Sequence, residues 1–402
     1  MSGRDSFRMA EDLCQKAVAL DVSDGEAWAT LARVSVEILA RGYESSAQRR
    51  EAARSQAERA IRLRPDSIEA GLAMASHSVE TGAPVDAERR FRELLVRAPR
   101  DPRIVLGLAR ALARTGRFDE ASEVRLNHPA FGERDPRPLV QESIRLRARG
   151  KPFEGQVLLE RAQALAPSMR GYYFLLLSHV SYIADFAAAR ALVETMPMQV
   201  LREDAVAVLV GQLWLRLGDG EQAQAVLRRI PREFLQEENQ DLPKGYLMGW
   251  ALKVSGKGAG AHAEWSQALS VVEKRLESEP NRAVLLRYRA ELLALTGRVP
   301  EGEKWWKVAS ELPRQANANS MYHNAIFFAS AGNVEKSVQW LIKASPADLP
   351  LWQRTSVRFD PVFAAVRNDA RVQEMSTAWA AELDALRRAE RPAASANGEP
   401  TR

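Results

Sequence analysis

Hydrophobic and polar positions along the chain follow one beat. Gly82, Gly116 and Gly150 stand 34 residues apart, and two further steps of 34 lead through Ala184 to Gly218. Five residues after each beat comes a small residue: Ala87, Ala121, Gly155, Ala189 and Ala223. Nine residues after it comes a larger one, Phe91, Leu159, Val193 or Leu227, with Arg125 the exception. A fixed period of this length marks stacked helical units, each packing on its neighbours. Glycine suits the beat because it tolerates the positive φ that follows a helix end. Pro65, Pro99 and Pro167 recur in register where a helix has to stop, since proline has no amide to donate and crowds the preceding turn. At 133 and 201 proline is missing, and the stop there comes from elsewhere.

Before the regular stretch, residues 7–20 predict an amphipathic helix with Ala10, Cys14, Ala17 and Leu20 on one face. Residues 1–23 thus read as the second helix of a repeat whose first is absent, so that upstream residues or another domain or subunit must cover Leu13. The array proper spans 24–345, opening at Asp24 with Trp28 and Leu31 on the first helix. Beyond Gly218 the period loosens, with Gly256 after 38 residues, Gly297 after 41 and Gly332 after 35. Residues 232–242 read as a polar connector, and the helix from Ala261 to Leu276 is lengthened by about two turns. Residues 346–388 predict a helical cap in which Trp352, Phe359 and Phe363 fold over the last repeat. The polar, Pro- and Ala-rich residues 389–402 predict a disordered tail.

A 34-residue helix–turn–helix with this placement of small residues, larger residues and proline resembles the tetratricopeptide repeat, most closely over residues 68–230. The resemblance implies an all-α fold, a right-handed superhelical solenoid of TPR-like helix–turn–helix repeats. The phrase FDPVFAAVRNDARVQEM resembles the segment closing such arrays in bacterial signalling proteins with kinase, cyclase or winged-helix domains. Asp360, Pro361, Phe363, Val366, Arg367, Asp369, Arg371 and Val372 match it, and Ala370 departs from the usual proline.

In the family the first helix of each repeat lines the concave face. Carried over, that phase turns Arg103, Arg110, Arg114, Arg137 and Arg147 inward, with Phe174, Tyr182, Tyr246, Trp250 and Tyr322 further along. An arginine cluster with apolar gaps suits an acidic-hydrophobic peptide, since guanidinium forks bind carboxylates bidentately; the arginines otherwise pair with nearby acids. Trp250 reads first as core. The resemblance implies a non-catalytic protein-interaction scaffold binding a protein or peptide partner. One alternative is the regulatory C-terminal module of a bacterial signalling protein; another, disfavoured, is a helical-repeat enzyme.

Composition sharpens this reading only by exclusion. The net charge is +5 and 46% of residues are hydrophobic. Arginine dominates the basic residues, as in a GC-rich bacterial genome, and no nucleic-acid reader motif appears. The lone Cys14 excludes an intrachain disulfide. No metal or cofactor is expected: His77, His128, His179, His262 and His323 face different directions in repeat phase. SGKGAG at 255–260 lacks the ending of a phosphate loop and reads as a turn. No stretch approaches the ~18 apolar residues of a membrane span, and the start lacks the layout of a secretion signal. The expected place is the cytoplasm.

Overall fold

The computed structural model of the chain describes residues 3–44, 46–128, 135–237, 240–311, 318–345 and 349–396. Among the described residues it is an all-α solenoid of helix pairs, 22 α-helices with one two-stranded hairpin. The chain divides into two compact units, Met1–Glu142 and Ser143–Arg402.

The beat is a backbone event. Gly82, Gly116, Gly150, Gly218, Gly256, Gly297 and Gly332 all have φ between 73° and 84°. Past each, an amide reaches back five residues: Arg117 N to Leu112 O at 3.0 Å, Lys151 N to Leu146 O at 2.9 Å, Asp219 N to Trp214 O at 2.8 Å. These bonds satisfy carbonyls that the helix end leaves without a partner. Ala184 takes the same beat with φ 52°, although its Cβ makes that region costly. There the helix Met169–Leu177 widens into a π turn at Ser178–Tyr182, and the closing amide, Asp185 N, reaches six residues back to His179 O at 3.0 Å.

The small residues after each beat are buried where paired helices cross. A Cβ at Gly155 would stand 2.9 Å from the carbonyl of Ser143, so nothing larger than glycine fits without movement. Phe91, Leu159 and Leu227 are completely buried in the next gap. Arg125, the exception, occupies the same gap as half of a buried ion pair. Its Nη1 donates to Glu142 Oε2 at 2.8 Å, and Ser122 Oγ donates to Glu142 Oε1 at 2.9 Å. A charge at an apolar position is tolerated here because a partner follows it inside.

In the Met1–Glu142 unit, Asp24 caps the helix Gly25–Ala40 through Glu26 N and Ala27 N. The preceding helix, Gly3–Leu20, packs on it with Val18 buried while Leu13 and Leu20 face solvent. Position 133, where proline is missing from the register, lies outside the described residues.

Two features of the Ser143–Arg402 unit differ from expectation. The connector at 232–242 forms a hairpin, Phe234–Glu237 with Gln240–Pro243, because Leu235 and Leu242 pair across it and both bury. The C-terminal segment also does more than cover the last repeat. Phe363 is buried against Tyr322, Val338 and Leu341, as a cap requires. Phe359, however, meets Phe186 edge-on at 4.9 Å, and Leu383 packs with Phe153 and Ile183. The helix Ala370–Ala396 runs on through the start of the expected disordered tail. Its reason is Glu390, whose Oε2 accepts from Phe153 N and Glu154 N at 2.8 Å each. A carboxylate at the first turn of the helix Pro152–Leu165 satisfies its open amides and complements its dipole. Residues 397–402 lie outside the described residues.

The strained alanine generates a first test. Ala184→Gly relieves the left-handed penalty at a small cost in unfolded-chain entropy, and should stabilise the protein by about 0.5–1 kcal/mol. Denaturant unfolding of the pair measures it; an unchanged or lowered midpoint contradicts the strain.

Candidate functional site

Four of the eight sequence candidates stand in the Met1–Glu142 unit, and each already holds a carboxylate. Arg103 Nη2 meets Asp101 Oδ2 at 2.7 Å, and the same guanidinium bonds Glu69. Arg137 Nε meets both Asp135 oxygens at 2.9 Å. Arg110 and Arg114 share one acid, with Nη2 atoms 3.2 and 4.0 Å from the two oxygens of Glu80. All four arginines remain substantially exposed.

The other four lie in the Ser143–Arg402 unit. Arg147 is buried, its guanidinium over the rings of Phe174 at 5.2 Å and Tyr182 at 4.9 Å. Tyr182 and Tyr246 line a cavity of about 350 Å³. Ionisable and aromatic side chains converge on the cavity, among them Arg216, Arg287, Glu291, His323 and Asp360, with Trp250, Tyr288, Tyr322 and Trp352.

Closure explains the convergence. Arg216, at the end of the helix Asp204–Arg216, bonds Asp360 and the carbonyl of Val180, its Nη2 lying 3.3 Å from Asp360 Oδ2. Asp360 also accepts from Ser356 Oγ, which accepts from Tyr322 Oη at 2.6 Å. This chain of bonds runs from the last repeat through the C-terminal segment to the π turn. The turn itself carries Ser181 and Tyr182 into the cavity wall, and the hairpin adds Leu242.

Glu291 is the group least at ease. Burial raises its carboxyl to about 7, while a hydrogen bond from the Tyr246 hydroxyl and the field of Arg287 pull the other way. Burial likewise pushes the Tyr246 phenol well above its ordinary value, and raises that of Tyr322. A carboxyl poised near neutrality among protonated phenols can accept a cation or exchange a proton.

Sequence reasoning missed Arg216, Arg287 and Glu291, although the signal was present. The phase that selects Tyr182 from the beat at 184 and Tyr246 from that at 256 selects Arg216 before Gly218. Before Gly297 it selects Val284, Arg287 and Glu291, all four of these residues lining the cavity. Trp250, read first as core, is 5% exposed and also lines the wall. The contribution of Asp360 depends on the C-terminal fold, which no repeat phase encodes.

Among the described residues, no cluster of three or more His, Cys, Asp or Glu is placed to hold a metal, and no helix is long and apolar enough to cross a membrane.

Residues 78–137 match the tetratricopeptide repeat family model; the chain thus carries a tetratricopeptide repeat. Among solved structures it is similar to a human IFIT1 dimer with PPP-AAAA, at 13% identity over 77% of this chain and 70% of that one, with a TM-score of 0.43. It is similar also to Cut9 with Hcn1 in the APC/C hetero-tetramer, at 12% identity over 86% of this chain and 60% of that one, with a TM-score of 0.39. No curated protein sequence matches the chain.

The buried carboxyl predicts a pH signature. Its folded pKa lies above the unfolded one, so its contribution is fully present below the ordinary carboxyl range and is lost as pH rises through about 7. The loss is about 3 kcal/mol. Glu291→Gln keeps a neutral partner for Tyr246 and removes the titration. Between about pH 5 and about pH 8 the melting temperature of the native protein should fall relative to the variant; parallel curves would show that Glu291 is not the titrating group.

Proposed function

We propose that the chain is a non-catalytic interaction module whose partner places a segment in the cavity of the Ser143–Arg402 unit. The observation that carries this reading is the cavity itself. Its volume of about 350 Å³ lies in the range of pockets that enclose a side chain or small ligand, and its wall mixes aromatic surface with a few polar groups. Tyr182 and Tyr246 stand in the wall, with Arg147 and Phe174 stacked behind Tyr182.

A second reading keeps an acidic peptide on the arginine face of the Met1–Glu142 unit. It rests on Arg110 and Arg114 sharing the single carboxylate of Glu80, which leaves one positive charge over. A place in a bacterial signalling protein rests on the segment 359–372, whose Asp360 closes the cavity.

Two variants separate the sites. Ile326 is half-buried and lines the cavity, so Ile326→Trp fills space without removing an ion pair, while Arg110→Glu reverses the exposed charge. Partner capture by the full chain should fall about tenfold or more with Ile326→Trp and persist with Arg110→Glu, circular dichroism being unchanged in both. The reverse pattern moves the site to the arginine face, and capture unaffected by either variant overturns both readings. Reversing Arg147 is no test, because its burial against Phe174 and Tyr182 makes it part of the fold.

A further inference from the structure

The cavity wall holds both signs of charge, and the question is which charge is left for a ligand. Arg216 and Asp360 are spent on each other and on closure: Arg216 also bonds the carbonyl of Val180, and Asp360 also holds Ser356. Arg287 is itself engaged. Glu291 is different. It is 5% exposed, it receives one hydrogen bond from a neutral phenol, and its nearest cation acts through the field alone. A carboxylate withdrawn from water without a cation is costly, and that cost falls when a positive group enters beside it.

The surroundings suit such a group. Tyr246 and Tyr288 lie edge to face at 5.3 Å, and Trp250 adjoins them on the helix of Tyr246. Trp250 Nε1 is turned toward the Tyr246 hydroxyl, which it hydrogen-bonds. Aromatic rings around a desolvated cation contribute through their negative faces. An anion entering beside Glu291 would meet the opposite condition, a buried carboxylate of its own sign.

We propose that the cavity takes an organic cation, an ammonium or guanidinium group on a short apolar chain, with Glu291 as its counter-ion and Tyr246, Tyr288 and Trp250 as its aromatic surround. The proposal rests on the cavity being the binding site and adds the chemical class of what enters it. The cation belongs either to a free amine or to the lysine or arginine side chain of a peptide; the recognition is the same. Its affinity rises with pH as Glu291 ionises. The groups that face that carboxyl are Tyr246 from the helix Lys244–Val254 and Arg287 and Tyr288 from its own helix, with Tyr322, His323, Arg216 and Asp360 across the cavity.

The test is calorimetric titration of the full chain with n-butylguanidinium and n-butylammonium, against n-butyrate and n-butanol as controls. The tripeptide N-acetyl-Ala-Arg-Ala-amide forms a further arm. Binding of at least one cation is expected, with affinity lowered about tenfold or more by Glu291→Gln, the scale of one lost charged hydrogen bond, and abolished by Ile326→Trp. Binding of the tripeptide assigns the cation to a peptide side chain, and binding of the free amines alone assigns it to a small molecule; both support the proposal. If butyrate or butanol binds as well as the cations, or Glu291→Gln changes nothing while Ile326→Trp still abolishes binding, the cation falls and the cavity stands. If no probe binds, the cation proposal falls, and the cavity reading stands or falls separately on partner capture by Ile326→Trp.

Discussion

Arg216 and Asp360 hold the Ser143–Arg402 unit closed. Arg216 is 4% exposed as a side chain and bonds a carboxylate and a carbonyl from two different elements. Asp360 is 24% exposed, so the pair lies between an exposed one, worth at most about 1 kcal/mol, and a fully buried one, whose breaking costs about 3–5 kcal/mol. The pair is also one link in a series. Tyr322, Ser356, Asp360, Arg216 and the Val180 carbonyl follow one another, and each bond polarises the next. Remove Asp360 and the last repeat, the C-terminal segment and the π turn lose their common fastening.

The cavity exists because three irregularities interrupt an otherwise regular array. The π turn at Ser178–Tyr182 adds a residue to a helix and re-aims Ser181 and Tyr182. The hairpin replaces a connector and supplies Leu242 to the wall. The C-terminal segment brings Trp352, Ser356 and Asp360 into the wall. In a strictly periodic stack none of these would occur, and the first helices would face an open groove. Enclosure is what lifts the carboxyl of Glu291, since the same side chain on an open concave face would be hydrated.

What could be read from the sequence follows from what is local. The beat of glycines is a backbone requirement, and it marked every left-handed turn among its positions, including Ala184, where the residue itself gave no hint. Helix phase is also local, and it brought Tyr182, Tyr246 and Trp250 to the cavity wall; extended to Gly297, it reaches Glu291 as well. Contacts made across many repeats stayed hidden. Nothing near Asp360 announces Arg216, 144 residues away, and the polar, alanine-rich composition of the last residues concealed the one buried carboxylate, Glu390, that anchors them. Arg125 shows the same limit at shorter range, since its partner Glu142 makes a charge acceptable where the repeat pattern asks for an apolar side chain.

The contact between Glu390 and the amides of Phe153 and Glu154 bears on how the protein acquires its shape. A linear stack of repeats can nucleate anywhere and spread to its neighbours. Here the terminal fastening joins residues 237 positions apart, and long-range contacts of that kind slow folding even when the entropy of the loop itself grows only slowly with length. During synthesis the repeats can form as they emerge, but the cavity stays unclosed until Asp360 has been made, and the final helix is anchored only by Glu390. The cavity beside Glu291 gains its last wall only when Trp352, Ser356 and Asp360 have been made.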